Sequence, residues 1–145
     1  MHEPVRNRML AAMELEATGV SRCVLLIDDD EQIAGSLRKY LIRRGCETES
    51  ARERKSAAEL LSSRRFDLIL LDPYLTGEAA DPASLLALVR EQQKLATIVL
   101  LTAYLSSELG NKALEAGVRA IITKPKPVRE LGEFALGFLE SPALR

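Results

Sequence analysis

The sequence predicts an α/β fold in which five βα units build one open parallel sheet with helices on both faces. Two observations predict it. Short apolar runs recur along the chain: "CVLLI" (Cys23 to Ile27), "DLILLD" (Asp67 to Asp72), "TIVLLT" (Thr97 to Thr102) and "AIIT" (Ala120 to Thr123). They are continuous rather than alternating, which is the pattern of parallel strands buried on both faces. Between them lie segments of helical periodicity, so strand and helix take turns from Ser21 onward.

The elements follow in order. After the first strand, "DDDEQIAGSLRKYLIRRG" sets Ile33, Leu37, Tyr40 and Leu41 on one helical face, with Asp30 or a neighbour as cap and Gly45 as stop. "CETESA" (Cys46 to Ala51) has poor strand propensity and reads as an edge strand. "SAAELLSS" (Ser56 to Ser63) is a short helix, and Asp67 to Asp72 the third strand. "PASLLALVREQQ" (Pro82 to Gln93) is a helix with Pro in its first turn. The fourth strand leads to a helix over Ser106 to Gly117, where Gly110 weakens the segment by about 1 kcal/mol relative to Ala. The fifth strand leads through "KPKP" to a closing helix over Val128 to Glu140, with Pro127 at its first position. Right-handed crossovers leave few topologies, and the flavodoxin-like order 2-1-3-4-5 puts the weak second strand at an edge. A single domain over residues 21–141 is expected, with a tail at 142–145. Residues 1–20 stand outside the pattern as an extension, either disordered or a short helix with Met9, Leu10, Met13 and Leu15 on one side.

Composition narrows the function classes. Hydrophobic residues make up 47% of 145, enough for a full core without disulfides. With 20 basic and 21 acidic residues, the net charge of −1 gives no footprint for direct nucleic-acid binding. "RERK" (Arg52 to Lys55) and the Arg64, Arg65 pair read as solvated helix faces. No run is long enough to span a membrane, and the N-terminus lacks the apolar core of a signal peptide. Cys23 and Cys46 read as buried, reduced thiols of a cytoplasmic protein, and His2 as inert.

Ligands of an open parallel sheet bind beyond the carboxyl ends of its strands. Here those ends carry Asp28, Asp29 and Asp30, then Asp72, Thr102, and Lys124 with Pro125. Each alone is an ordinary turn or cap residue; together they put carboxylates, a hydroxyl and an ammonium on one edge. Clustered carboxylates repel unless a cation joins them, and all-oxygen donors without His or thiolate suit Mg²⁺ rather than zinc or copper.

At these residues the chain resembles the receiver domain of two-component response regulators, from about Arg22 to Glu140. "VLLIDDDEQIAGSLRKYLIRRG" is similar to that family's first strand, acidic pair and first helix, and "FDLILLDPYLTG" to its phosphorylation-site strand. "IVLLTAY" and "AGVRAIITKP" resemble the Thr and Lys-Pro segments; Thr102 lies 30 residues after Asp72 and Lys124 a further 22. The resemblance implies that Asp72 accepts a phosphoryl group from a histidine kinase or phosphotransfer protein. It implies Asp28, Asp29, Asp72 and the Tyr74 backbone carbonyl as Mg²⁺ ligands, Lys124 and Thr102 as partners of the phosphoryl oxygens, and a cis peptide before Pro125. Such a protein switches its contacts with an output partner that these residues do not specify. It catalyses only its own phosphorylation and dephosphorylation, and it can form a homodimer through its fourth and fifth helices.

Several positions depart from the family pattern. Leu75 and Thr76 replace a common Met-Pro, Pro73 follows the Asp directly, and the loop from Thr76 to Ser84 is about two residues long for the family. Ile121 occupies the switch position where Tyr or Phe is usual, so the customary aromatic rotation cannot occur there. Tyr74 and Tyr104 flank the phosphoryl position, where two phenols would exclude attacking water and lengthen the phosphate's life to hours. Two other classes stay open: a receiver-like scaffold that no longer signals by phosphorylation, and an aspartyl-phosphate hydrolase, for which "DPYLT" lacks a second Asp. A stand-alone receiver and a piece of a longer protein both fit the chain.

Overall fold

The computed structural model describes residues 22–75 and 81–140. Its elements are β1 (Cys23–Ile27), α1 (Glu31–Arg43), β2 (Glu47–Ala51), α2 (Arg54–Ser63), β3 (Leu68–Leu71), α3 (Pro82–Gln92), β4 (Thr97–Thr102), α4 (Ser107–Glu115), β5 (Ala120–Thr123) and α5 (Val128–Glu140). All pairings are parallel, in the flavodoxin-like order β2-β1-β3-β4-β5. The expected extension, the tail at 142–145 and most of the loop before α3 lie outside the described residues.

Strand periodicity divides the core between two layers. Leu25, Ile27, Ile69, Leu71, Ile98 and Leu100 face Ala57 and Leu61 of α2, Leu85, Leu86 and Val89 of α3, and Leu109 and Ala113 of α4. Val24, Leu26, Leu68, Leu70, Val99 and Leu101 face Leu37 and Leu41 of α1 and Leu131, Ala135 and Leu139 of α5. Burying each such side chain contributes about 1.5–3 kcal/mol, so the central strands anchor the domain. The polar β2 survives at the edge because it buries only Ala51 and Thr48, and the Thr48 hydroxyl is satisfied by donating to the Cys46 carbonyl at 3.3 Å. Arg38 of α1 covers part of that edge, its Nε donating to the Thr48 carbonyl at 2.8 Å.

Local chemistry sets the helix ends. Asp30 caps α1, its Oδ1 accepting the Gln32 and Ile33 N–H groups at 3.1 and 3.2 Å, and Gly45 at φ 86° turns the chain out of the helix. The helix α2 begins two residues before Ser56, because Ser56 and Glu53 cap each other reciprocally. Pro127 precedes α5 instead of opening it; its carbonyl accepts the Leu131 N–H at 3.0 Å. The ring of Tyr40 lies so close to Gly132 that a Cβ there would overlap it, which lets α1 and α5 approach.

Two expectations change at the surface. Cys46 is buried but Cys23 is half-exposed, its thiol in contact with Arg64 Nη2 at 3.2 Å and Glu47 Oε2 at 3.4 Å. The two thiols belong to opposite layers, and burial raises both pKa values. Arg64 is only partly solvated and pairs with Glu47 at 2.7 Å, while the exposed Arg52 pairs with Glu31 at 2.6 Å.

The amino edge of the sheet is stitched by two polar side chains. Gln93 is buried; its Nε2 donates to the carbonyls of Leu61 and Arg64, both at 2.8 Å, and its Oε1 accepts from the Phe66 N–H at 3.1 Å. Arg90 donates to five carbonyls: Ala116 at 2.7 Å, Ala96 at 2.9 Å, Gln93 and Lys94 at 3.1 Å, and Gly117 at 3.3 Å. Among the described residues, no helix is long and apolar enough to cross a membrane.

Candidate functional site

The sheet's hydrogen bonding continues past the strand ends and fixes the residues there. The Asp28 N–H donates to the Ala51 carbonyl at 3.0 Å, the Asp72 N–H to Ile27 at 2.8 Å, and the Lys124 N–H to Thr102 at 2.9 Å. Three separate connections thus leave the sheet side by side at its carboxyl edge. The Lys124–Pro125 peptide is cis.

Lys124 closes the site. Its Nζ lies 2.7 Å from Asp28 Oδ2 and 2.9 Å from Asp72 Oδ2, and the three side chains are 12%, 6% and 10% exposed. The other oxygens are held by backbone: Asp28 Oδ1 accepts the Asp30 N–H at 3.0 Å and Asp72 Oδ1 the Tyr74 N–H at 2.9 Å. Asp29 completes a set of three carboxylates whose oxygens lie within 4.8 Å of one another. Burial raises the Asp28 pKa, although the Lys124 bond and the Asp30 N–H oppose the rise. For Lys124 burial alone would lower the pKa, but the bonds to Asp28 and Asp72 outweigh it and the pKa is raised.

A pH dependence follows from Asp28. Its folded pKa exceeds its unfolded one, so the fold favours the protonated acid, and that stability is lost as pH rises through the folded value. In buffer free of divalent ions, the stability of Asp28→Asn is therefore expected to rise relative to wild type as pH climbs through and above the ordinary Asp range. Urea midpoints across that range check it; a difference that is flat or falls with pH contradicts it.

Thr102 is fully buried, and its hydroxyl is bonded to the backbone of Tyr104: Oγ1 donates to the carbonyl and accepts from the N–H, both at 3.1 Å. The Tyr74 and Tyr104 rings meet edge to face, with centroids 5.9 Å apart and planes at 77°. Tyr104 is 70% exposed. Ile121 is half-buried and packs into the layer beneath α2, α3 and α4. The structure therefore brings Asp28, Asp29, Asp72 and Lys124 together and sets Thr102 with Tyr104 and Tyr74. Side-chain bonds of this kind leave no periodic signal in a sequence, and the Thr102–Tyr104 link was not legible there.

The donors fit a hard divalent cation. Three carboxylates converge against one ammonium, and among the described residues neither imidazole nor thiolate joins them.

Comparison with known proteins gives the family. The family model described as "Response regulator receiver domain" matches residues 24–135. The chain belongs to the response regulator receiver family. Receiver domains are signalling domains of two-component systems. This one is 40% identical over 110 residues to Protein PetR of Rhodobacter capsulatus, covering 74% of this chain and 44% of PetR. It is 34% identical over 110 residues to response regulator protein PilR of Pseudomonas aeruginosa, covering 75% of this chain and 24% of PilR. The receiver thus spans less than half the length of either relative. Among solved structures, a CheY-like receiver domain protein from Methanospirillum hungatei superposes with a TM-score of 0.75 at 27% identity, over 83% of this chain and 95% of that one. A Burkholderia pseudomallei response regulator, crystallised with a phosphorylated aspartic acid, calcium ion and citrate, gives 0.68 at 28% identity, over 86% of this chain and 78% of that one.

Proposed function

We propose that this receiver takes a phosphoryl group onto Asp72 from a phosphohistidine of a histidine kinase or phosphotransfer protein, and that the modification switches its contacts with an output partner. The observation that carries the proposal is the Lys124 ammonium set between Asp72 and Asp28 at the carboxyl edge. A carboxylate oxygen of Asp72 attacks phosphorus; the new O–P bond forms as the N–P bond breaks, and the donor histidine leaves. Lys124 neutralises charge on the transferred group, and Thr102 supplies a hydroxyl to another of its oxygens. Asp28, Asp29, Asp72 and the Tyr74 carbonyl would hold Mg²⁺, which supplies further charge neutralisation when bound. The related Burkholderia structure, with its phosphorylated aspartic acid and calcium ion, supports this reading.

Tyr74 and Tyr104 flank the acceptor and slow hydrolysis of the phosphate by excluding water. The reading places the protein in the cytoplasm. It includes a homodimer through α4 and α5, where Leu114 and Phe134 stand exposed. Ile121 favours a second reading, a scaffold that does not signal by phosphorylation. Beryllofluoride, a mimic of an acyl phosphate, separates the two. Saturable binding that requires Mg²⁺ is expected for the phosphoacceptor; no binding at millimolar probe would establish the scaffold.

A further inference from the structure

The two tyrosines belong to a closed run of contacts that begins and ends at the site. Asp72 Oδ1 holds the Tyr74 N–H, the Tyr74 ring meets the Tyr104 ring, and the backbone of Tyr104 holds the Thr102 hydroxyl. Thr102 ends β4, the strand paired with β3, which delivers Asp72. A hydroxyl has one proton to donate. In this structure it goes to the Tyr104 carbonyl, so Thr102 can donate to a group on Asp72 only by releasing that carbonyl. The ring of Tyr104 is mostly in solvent and has the Tyr74 ring as its aromatic contact. Release of the backbone therefore strains the ring contact, and a bulky group on Asp72 Oδ1 disturbs Tyr74 from the other side.

We infer that the Tyr74–Tyr104 pair clamps the resting state of the switch, and that Tyr104 is the aromatic that moves when Thr102 turns toward an occupied Asp72. This rests on the phosphoacceptor reading above and supplies the moving ring that Ile121 cannot be. An edge-to-face pair of this kind is worth about two- to tenfold in an equilibrium. Loss of either ring should then tighten probe binding by about that factor, because the resting state loses the contact and the occupied state does not.

The test uses the protein labelled with 3-fluorotyrosine, beryllofluoride and Mg²⁺, read by fluorine NMR. The chain has three tyrosines, each resonance assigned by one Tyr→Phe substitution. Tyr40, packed on Gly132 between α1 and α5, is the internal control. The bound probe gives its own fluorine signal, which reports separately that the pocket is filled. Tyr74 lies beside the probe and shifts whatever the mechanism, so the decision falls on Tyr104. Its resonance is expected to move in wild type while Tyr40 stays. In Thr102→Val it should already sit near the displaced position and move little when the probe binds. Tyr74→Leu should displace it without probe and tighten probe binding by about two- to tenfold. A filled pocket with Tyr104 unmoved, or with equal movement in wild type and Thr102→Val, overturns the inference. A missing bound-probe signal in wild type overturns the phosphoacceptor reading beneath it.

Discussion

Asp72→Asn abolishes phosphoryl uptake. With a phosphorylated donor histidine and Mg²⁺, the variant's rate should fall by more than about a thousandfold, because an amide oxygen is a poor nucleophile and no other group takes its place. The substitution keeps the shape of the side chain and an acceptor oxygen for the Tyr74 N–H; it loses the bond from Lys124, which keeps Asp28 as its partner. Radiolabelled transfer, with release of the label by hydroxylamine as for an acyl phosphate, measures the effect. Label retained on the Asn variant would place the acceptor elsewhere. Lys124→Ala should lose less than Asp72→Asn, since it removes charge neutralisation and leaves the nucleophile.

Arg90→Ala removes about 2–4 kcal/mol of stability. Its five carbonyl partners belong to the end of α3, the turn into β4 and the end of α4, and without the guanidinium several lose their donor. Arg90→Lys should recover less than half, because an ammonium cannot reach carbonyls arrayed around a planar fork. Urea midpoints of the three proteins, with unchanged slopes, check both values. A Lys variant as stable as wild type would show that the charge alone matters. The site lies at the opposite edge, so beryllofluoride affinity of the folded variants should not change.

The backbone architecture was legible because its causes are local and periodic. The run Cys23–Ile27 has no polar residue to face water, so it had to be an inner strand, and Asp30 and Gly45 announce helix ends by their chemistry. Strand ends located Asp28, Asp72, Thr102 and Lys124 on one edge by topology alone. Arg90 and Gln93 were illegible because their partners are backbone carbonyls, which every residue carries, so nothing in the sequence marks which ones they reach. The start of α2 was misread for a related reason: "RER" shows charge, whereas the cap is the reciprocal bond between Glu53 and Ser56. The half-exposure of Cys23 follows from its place at the start of an outer pair of strands, which composition does not reveal.

Arg90 also gives α4 the mechanics of a lever. Its guanidinium grips the carbonyls of Ala116 and Gly117, just past the helix's last residue, and ties them to the turn that opens β4. The other end of α4 starts at Ser107, three residues after Tyr104. The nine-residue helix is thus pinned at its far end and loaded at the end nearest the pocket. With an arm of about 13 Å, a displacement of about 1 Å at the loaded end tilts the axis by roughly 4°. Arg90 shares that hold with Leu109 and Ala113, which seat the same helix in the core, so any tilt driven from the pocket would have to work against both the guanidinium grip and the packing.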